Sequence, residues 1–571
     1  MKPRWRFFLL CVVLGLALLC AGLFVPAHLR GLDVAVIQSA GRNSQTLAGE
    51  GQALAAVNKL GAVQLLQQAA QSEKISGAEA FGAALAGRVR QNPGALFWGA
   101  DERTQIVFGG GFRAADVNAT FTDFVIRQEN RDAALARLER SANAAVEELL
   151  RNRSLQDTVI FSPAQSAAGQ AFDAAVAVSG LLLDGGYLTA GLSGEILNLA
   201  TQANHGNGSR PVEEVLMDLL SLGQRLNWDQ LTAFVAHVPD AETLHRLADE
   251  ARNAGGRLPV LFAAVELSGR PVAVTDYLAK FADSGWPDLG TCLRYGAGGV
   301  TELVRRQQRL YEPTLIRRVA AYDPFGSFYE AMAMLAYRQP ELALTLKWFL
   351  YLAAGFVLAL ALHFARPPVT ALERPLQTGD YHLFREFLFS LGFLLVVLLL
   401  SEPFLAQDSQ RASFTLRLLP PTTGGAVTAG IAGIKQTIMK PTILLTLLVF
   451  LVLQALIYVS CLVKLAEIRR QSLSPRMKLK LLENEDHLFD AGLYLGFVGT
   501  IISLIIASMG LIQFSLMAAY SSTSFGIIFV VIFKIFHLRP ARRQLLLEAE
   551  AENPTPETYT PAATPAPILP P

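Results

Sequence analysis

The chain has 571 residues, of which 52% are hydrophobic and only 17% charged. That composition excludes a disordered polar protein and suits a multi-pass membrane protein carrying a folded domain. A net charge of +1 offers no basic field for nucleic acid, and the 4 cysteines are too few and too scattered for a disulfide framework or a zinc site.

Lys2, Arg4 and Arg6 precede an unbroken apolar run over residues 7–25. It exceeds the apolar core of a secretory signal, about 7–15 residues, and Val25-Pro26-Ala27 is a poor cleavage site. Residues 1–29 are therefore expected to form an uncleaved membrane anchor. Over 47–90 apolar residues recur at helical spacing, through Leu54, Val57, Leu60, Val63, Leu65 and Leu66, until Asn92-Pro93-Gly94 stops the pattern. Thr104 to Phe108 reads as a short strand, and 133–150 returns to helix. The segment 30–160 is thus expected to be a helical subdomain with a short β element.

Short helical patterns then follow one another: 212–226, 229–238, a helix N-capped by Asp240, 258–267, 272–281 and 300–311. Glycine-rich turns such as Gly255-Gly256 separate them. Helices of this length joined by short turns make 161–344 a helical array without a fixed repeat. Spans two and three are expected within 345–406, a loop over 407–440, and spans four to six within 441–540. A Pro-rich disordered tail is expected over 541–571. Crossing a hydrocarbon core of about 30 Å takes about 20 apolar residues.

The expected fold class is mainly α: a six-span helical membrane protein with a large, mostly helical extracytoplasmic domain. Basic residues cluster at the N-terminus, over 464–480 and over 539–543, which places both termini in the cytoplasm and 30–341 outside. Composition leans bacterial, so the membrane is read as the bacterial inner (plasma) membrane and the large domain as periplasmic or extracellular.

Gly296-Ala297-Gly298-Gly299 precedes a helix but lacks the preceding strand and GK[ST] ending of a phosphate loop, which makes it a helix–turn–helix connection. His237 and His245 flank the Asp240 turn and are read as surface histidines, not metal ligands. No catalytic motif is present, and neither cofactor nor metal is expected. Glu402 near the end of span three is either a functional carboxyl within a membrane segment or the residue that ends the span at the headgroups. Thr500, Ser522 and Thr523 lie inside the last two apolar arms, where lipid-facing positions would not carry hydroxyls. They belong to helix packing or to a polar membrane path.

Leu495-Gly496-Phe497-Val498-Gly499-Thr500-Ile501 resembles the glycine-threonine opening of the second conserved helix of the MotA/TolQ/ExbB proton-channel family. Ser522-Thr523-Ser524-Phe525-Gly526-Ile527 resembles its third-helix motif. The cytoplasmic segment 466–489 and the turn at 510–515 are both shorter than in that family. The resemblance implies a pentameric channel around a single-helix partner bearing a carboxylate, with Thr500 and Thr523 in the polar path. The reading expected from the residues themselves is a non-enzymatic multi-pass membrane protein. It would act as subunit or scaffold of a membrane complex, with the lipid bilayer and a membrane protein or its own copies as partners. An ion-conducting, force-transducing subunit is the alternative.

Overall fold

The computed structural model describes residues 3–108, 112–365, 379–404, 441–508 and 516–551. The expected 407–440 loop and the last part of the tail lie outside these. The protein is mainly helical and divides into two compact units, Pro26–Glu341 and the combination of Met1–Val25 with Leu342–Pro571.

The expected subdivision 30–160 and all of 161–344 but its last three residues fall within the first unit, which ends at Glu341. Its helices pack largely on the next but one in sequence. Ala144–Asn152 lies on Ala190–Asn204, Arg210–Gly223 on Ala241–Ala254, and that helix on Pro271–Lys280. This is how stacked helical hairpins share a core. An aromatic cluster fills the amino-terminal half. Phe97, Trp98, Phe121, Phe124 and Trp228 are fully buried, with ring centroids 4.7 Å apart for Phe97–Trp98 and 4.5 Å for Phe121–Trp228.

The unit's first and last segments are tied together. Gly31–Asp33 pairs in parallel with Arg309–Tyr311, in the register Gly31↔Arg309, Leu32↔Leu310, Asp33↔Tyr311. Asp33 then caps the helix Val34–Gly41 by accepting from the Ala35 N–H at 2.8 Å, and it also accepts from the Tyr329 hydroxyl at 2.9 Å.

The strand expected at Thr104–Phe108 is instead part of a helix, Glu102–Phe108. The Asp101 carboxylate accepts from the Thr104 N–H at 3.0 Å, and Thr104 and Phe108, four apart, are the buried pair while Ile106 faces solvent. A cap and a helical stripe override the β-branched composition. The one long pattern over 47–90 is three helices, Leu47–Ala56, Leu60–Ser72 and Ala78–Gln91, interrupted where Asn58, Lys74 and Gly77 take positive φ. The helix expected to reach 311 ends at Arg306, where Gln307 adopts φ 52° and releases the chain into the second strand.

Among the described residues, five helical segments are long and apolar enough to cross a membrane: Trp5–Leu23, Pro340–Leu362, Phe384–Ser401, Leu447–Arg470 and Tyr520–Ala551. The apolar helix Ala491–Ser508 pairs closely with Leu516–Phe533. Small residues set the contacts. Gly15 lies against Leu358 and Gly22 against Tyr351, while Ser390 donates to the Leu352 carbonyl and Gly355 receives Phe393. Leu388 and Leu395 then pack on Val452, Val459 and Val463.

A further core forms beyond the apolar lengths, from Leu465, Ile468, Leu482, Phe489, Leu538 and Leu545. The expected disorder from 541 is therefore corrected: Arg539–Ala551 is helical and buries Ala541, Leu545 and Ala549 along one face. The Pro-rich composition begins only after this amphipathic helix.

Candidate functional site

The hairpin helices approach each other through glycine. A Cβ on Gly496 would sit 2.8 Å from the Ser522 carbonyl oxygen, and one on Gly526 would sit 2.6 Å from that of Gly492. Gly492 and Gly496 are four apart and so share a helix face, as do Ser522 and Gly526 on the partner helix. This close approach brings the two threonines together. Thr500 Oγ1 and Thr523 Oγ1 are 2.5 Å apart, and the Gly496 carbonyl lies 3.0 Å from the first and 3.2 Å from the second. One hydroxyl can donate to the other and that one to the carbonyl, so both protons find acceptors inside the hairpin. Ser522 is buried beside Gly499, its Oγ 2.7 Å from where a Cβ would be.

A third helix, Pro441–Arg470, adds a group that the sequence motifs do not point to. Gln454 is 1% exposed and donates its Nε2 to the Gly492 carbonyl at 3.1 Å, while its Oε1 is buried with no hydrogen-bond partner among the described residues. The available signal is a lone amide in a long apolar run. The hairpin base is clamped by Lys534 Nζ to Asp490 Oδ1 at 2.7 Å and Arg542 Nη2 to Asp486 Oδ1 at 2.9 Å.

Glu402 lies apart from these three helices' polar seam. Its side chain is fully buried, and Oε1 is 3.7 Å from the Nζ of Lys347, itself 1% exposed. Lys347 also escapes the sequence motifs, although it is the one Lys or Arg among the apolar residues 342–365. The four residues singled out from sequence thus fall into two places: Thr500, Ser522 and Thr523 in the hairpin seam, Glu402 in a buried ion pair.

The first unit contains a cleft of ≈ 430 Å³ lined by Lys59, Asp101, Arg103, Arg137, Asp184, Tyr187 and Asp229 among others. Its buried carboxylates hold structure. Asp229 accepts from the Gly61 and Ala62 N–H groups at 2.7 and 3.1 Å, capping Leu60–Ser72 from another element because Lys59 supplies no side-chain cap. Burial pushes the Asp229 carboxyl up to about 7 against the pull of those two N–H donors. Asp101 accepts from the Trp228 indole at 2.8 Å. Burial would raise this carboxyl, but hydrogen bonds from Thr104, Tyr187 and Trp228 hold it below the usual range.

Glu213 is buried and accepts from the Val159, Ile160 and Phe161 N–H groups at 2.9, 2.6 and 2.9 Å, which fixes the loop before Gln170–Asp184. The two histidines are separately engaged, His237 with Glu266 at 3.4 Å and His245 with Asp218 at 2.8 Å. Among the described residues, no group of three His, Cys, Asp or Glu could hold a metal ion.

No family model, curated protein or solved structure matches this chain.

Proposed function

We propose that this is a non-enzymatic, six-span membrane protein acting as a subunit or scaffold of a membrane complex, with the Pro26–Glu341 unit on the extracytoplasmic side. The observation that carries the reading is the closure of the Thr500 and Thr523 hydroxyls on each other and on the Gly496 carbonyl. Hydroxyls that bond to each other and to a carbonyl within a glycine-packed pair of helices act as packing groups. The clamps at Asp490 and Asp486 and the extra core around Leu465 and Leu482 support a rigid three-helix module. In this reading Ala491–Ser508 is the fifth of the six spans and runs against the sixth, which begins at Leu516.

An ion-conducting, force-transducing role of the MotA/TolQ/ExbB kind is the second reading. It is favoured by the buried Gln454 Oε1 facing the same glycine-lined seam. Proton flux into proteoliposomes, read with a trapped pH dye, separates the two. The scaffold reading expects no flux above lipid background under an imposed potential. A flux that Thr500→Ala or Thr523→Ala abolishes at normal protein level would replace it with the channel reading.

A further inference from the structure

The helices Thr314–Ala320 and Phe325–Arg338 close the first unit, and the former has no buried residue at all. It is nonetheless apolar along one side. Leu315 and Val319 are four apart and so share a helical face, and Tyr322 follows in the turn just beyond the helix end. Phe325 and Phe328 continue the exposed series on the next helix. Leu315 is 73% and Tyr322 72% exposed, and Val319, Phe325 and Phe328 are all exposed as well. Isolated apolar residues on a surface need no explanation, but a run of five including three aromatics marks a contact surface. A helix of 7 residues with no fully buried residue draws little stability from the unit that carries it.

The chain itself says what lies nearby. Only Gln339 separates Arg338 from Pro340, which opens an apolar helix long enough to span a membrane. At the other end, Pro26 follows the Trp5–Leu23 segment almost directly. The 14 residues of Phe325–Arg338 make a helix about 21 Å long, so Phe325 is tethered within roughly that distance of the next apolar helix. The parallel strand pair and the Tyr329–Asp33 hydrogen bond hold the first and last segments of the unit together, so neither end can swing away independently. The residue types are those of a membrane–water boundary: aromatic rings at headgroup depth, with Arg317 and Arg318 on the same helix as the apolar stripe.

We propose that Leu315, Val319, Tyr322, Phe325 and Phe328 form an interfacial helical element that inserts into the lipid headgroup boundary of the bilayer which the neighbouring helices span. The occupant of this face is lipid. The proposal rests on the membrane reading, and its test separates the two.

Spin labels are placed singly at Leu315→Cys, Tyr322→Cys and Phe325→Cys in the full chain, with the native cysteines replaced by serine or alanine, and the protein is reconstituted into liposomes containing anionic lipid. A label at Leu400→Cys, 77% exposed in Gly379–Ser401, reports the bilayer, and one at Ile106→Cys, 76% exposed, reports the soluble unit. Collision rates with oxygen and with a water-soluble nickel chelate are compared by paramagnetic resonance. The three labels are expected to favour oxygen, at a depth between those of the two reference sites.

Labels that match Ile106 while Leu400 stays in lipid would overturn the interfacial element and leave the spans standing. Labels shielded from both reagents would overturn it in favour of a protein contact. A Leu400 label in water would remove the membrane reading and the proposal with it. As a second readout, Tyr322→Asp with Phe325→Asp is expected to shift the Leu315 label toward the nickel reagent, and no shift would count against insertion.

Discussion

The two units hold buried carboxylates differently: the first uses backbone N–H groups for some and basic side chains for others, such as Arg252 on Asp218 and Arg306 on Glu302, whereas the second sets a cation against Glu402. In Pro26–Glu341, Glu213 and Asp229 are met by backbone N–H groups of a loop and of a helix start. In the other unit, Glu402 is met by the Lys347 ammonium. The first unit has many short helices, and every helix start leaves N–H donors without an intrahelical acceptor. Long helices suited to lipid use nearly all their N–H groups internally, so a carboxylate buried among them needs a cation. The packing follows the same division. Large aromatic side chains fill the first unit, whereas glycine and hydroxyl contacts bring the helices of the second together.

The sharpest way to break this comparison is to remove the cation. Lys347→Met should cost about 3–5 kcal/mol of stability, because the Glu402 carboxylate would remain buried without it. The double variant Lys347→Met with Glu402→Leu should recover most of that loss, since both members of the pair are then apolar. Unfolding in detergent, followed by near-ultraviolet circular dichroism, measures both. Equal damage from the single and double variants would mean the pair does more than neutralise itself.

The next effect tests the backbone-held carboxylates through pH. Glu213 is held below the ordinary glutamate range: burial raises it, but the Ser209 hydroxyl and three N–H donors outweigh that. A depressed carboxyl contributes stability above its unfolded value, about 4.3, and that stability is lost as pH falls through the folded value. Asp229 has the opposite sign. With a folded pKa of about 7, the folded state retains a proton that the unfolded chain gives up. Stability therefore falls as pH rises from about 4 to about 7, and stays reduced above. Glu213→Gln should lose about 1.5–3 kcal/mol near pH 8. Asp229→Asn should instead be neutral or stabilising at pH 8, because the amide oxygen still accepts from Gly61 and Ala62. Denaturation at pH 3, pH 5 and pH 8 decides it: the Glu213→Gln loss should shrink between pH 5 and pH 3, and a loss that is larger at pH 3 than at pH 8 would reverse the assigned sign.

Apolar length and helical periodicity alone make the helical class and the apolar segments legible in the sequence. Asp240 is readable as a cap because its side chain acts locally, and it accepts from the Thr243 N–H at 2.8 Å. What the sequence hides is set by partners distant along the chain. The strand at Gly31–Asp33 exists only because Arg309–Tyr311 lies beside it, and Asp229 caps a helix that begins at Leu60. Gln454 and Lys347 are visible as odd residues in apolar runs, yet their roles depend on Gly492 and Glu402 on other helices. The Thr104–Phe108 stretch misleads because its β-branched composition competes with the Asp101 cap, and the cap wins.

The smallest effect is the most informative about the hairpin. Thr500→Val and Thr523→Val keep side-chain volume and remove only the hydroxyls. Interhelical hydrogen bonds of this kind contribute about 0.6 kcal/mol in membrane proteins, so each variant should unfold within about that margin of the parent. The pair shares one proton chain ending on Gly496, so the two losses should not add. Once one hydroxyl is gone the other can still donate to the carbonyl, and a double-mutant cycle should show coupling of similar size. Gly496→Ala supplies the contrast. Its Cβ would meet the Ser522 carbonyl at 2.8 Å and the Thr523 Cα at 3.2 Å, both backbone, so the helices must separate at a cost of about 1–3 kcal/mol. A hairpin held by close packing thus tolerates loss of both hydroxyls better than gain of one methyl. If the threonine variants prove the more damaging, the hydroxyls carry more of the hairpin's energy than the glycine contact does.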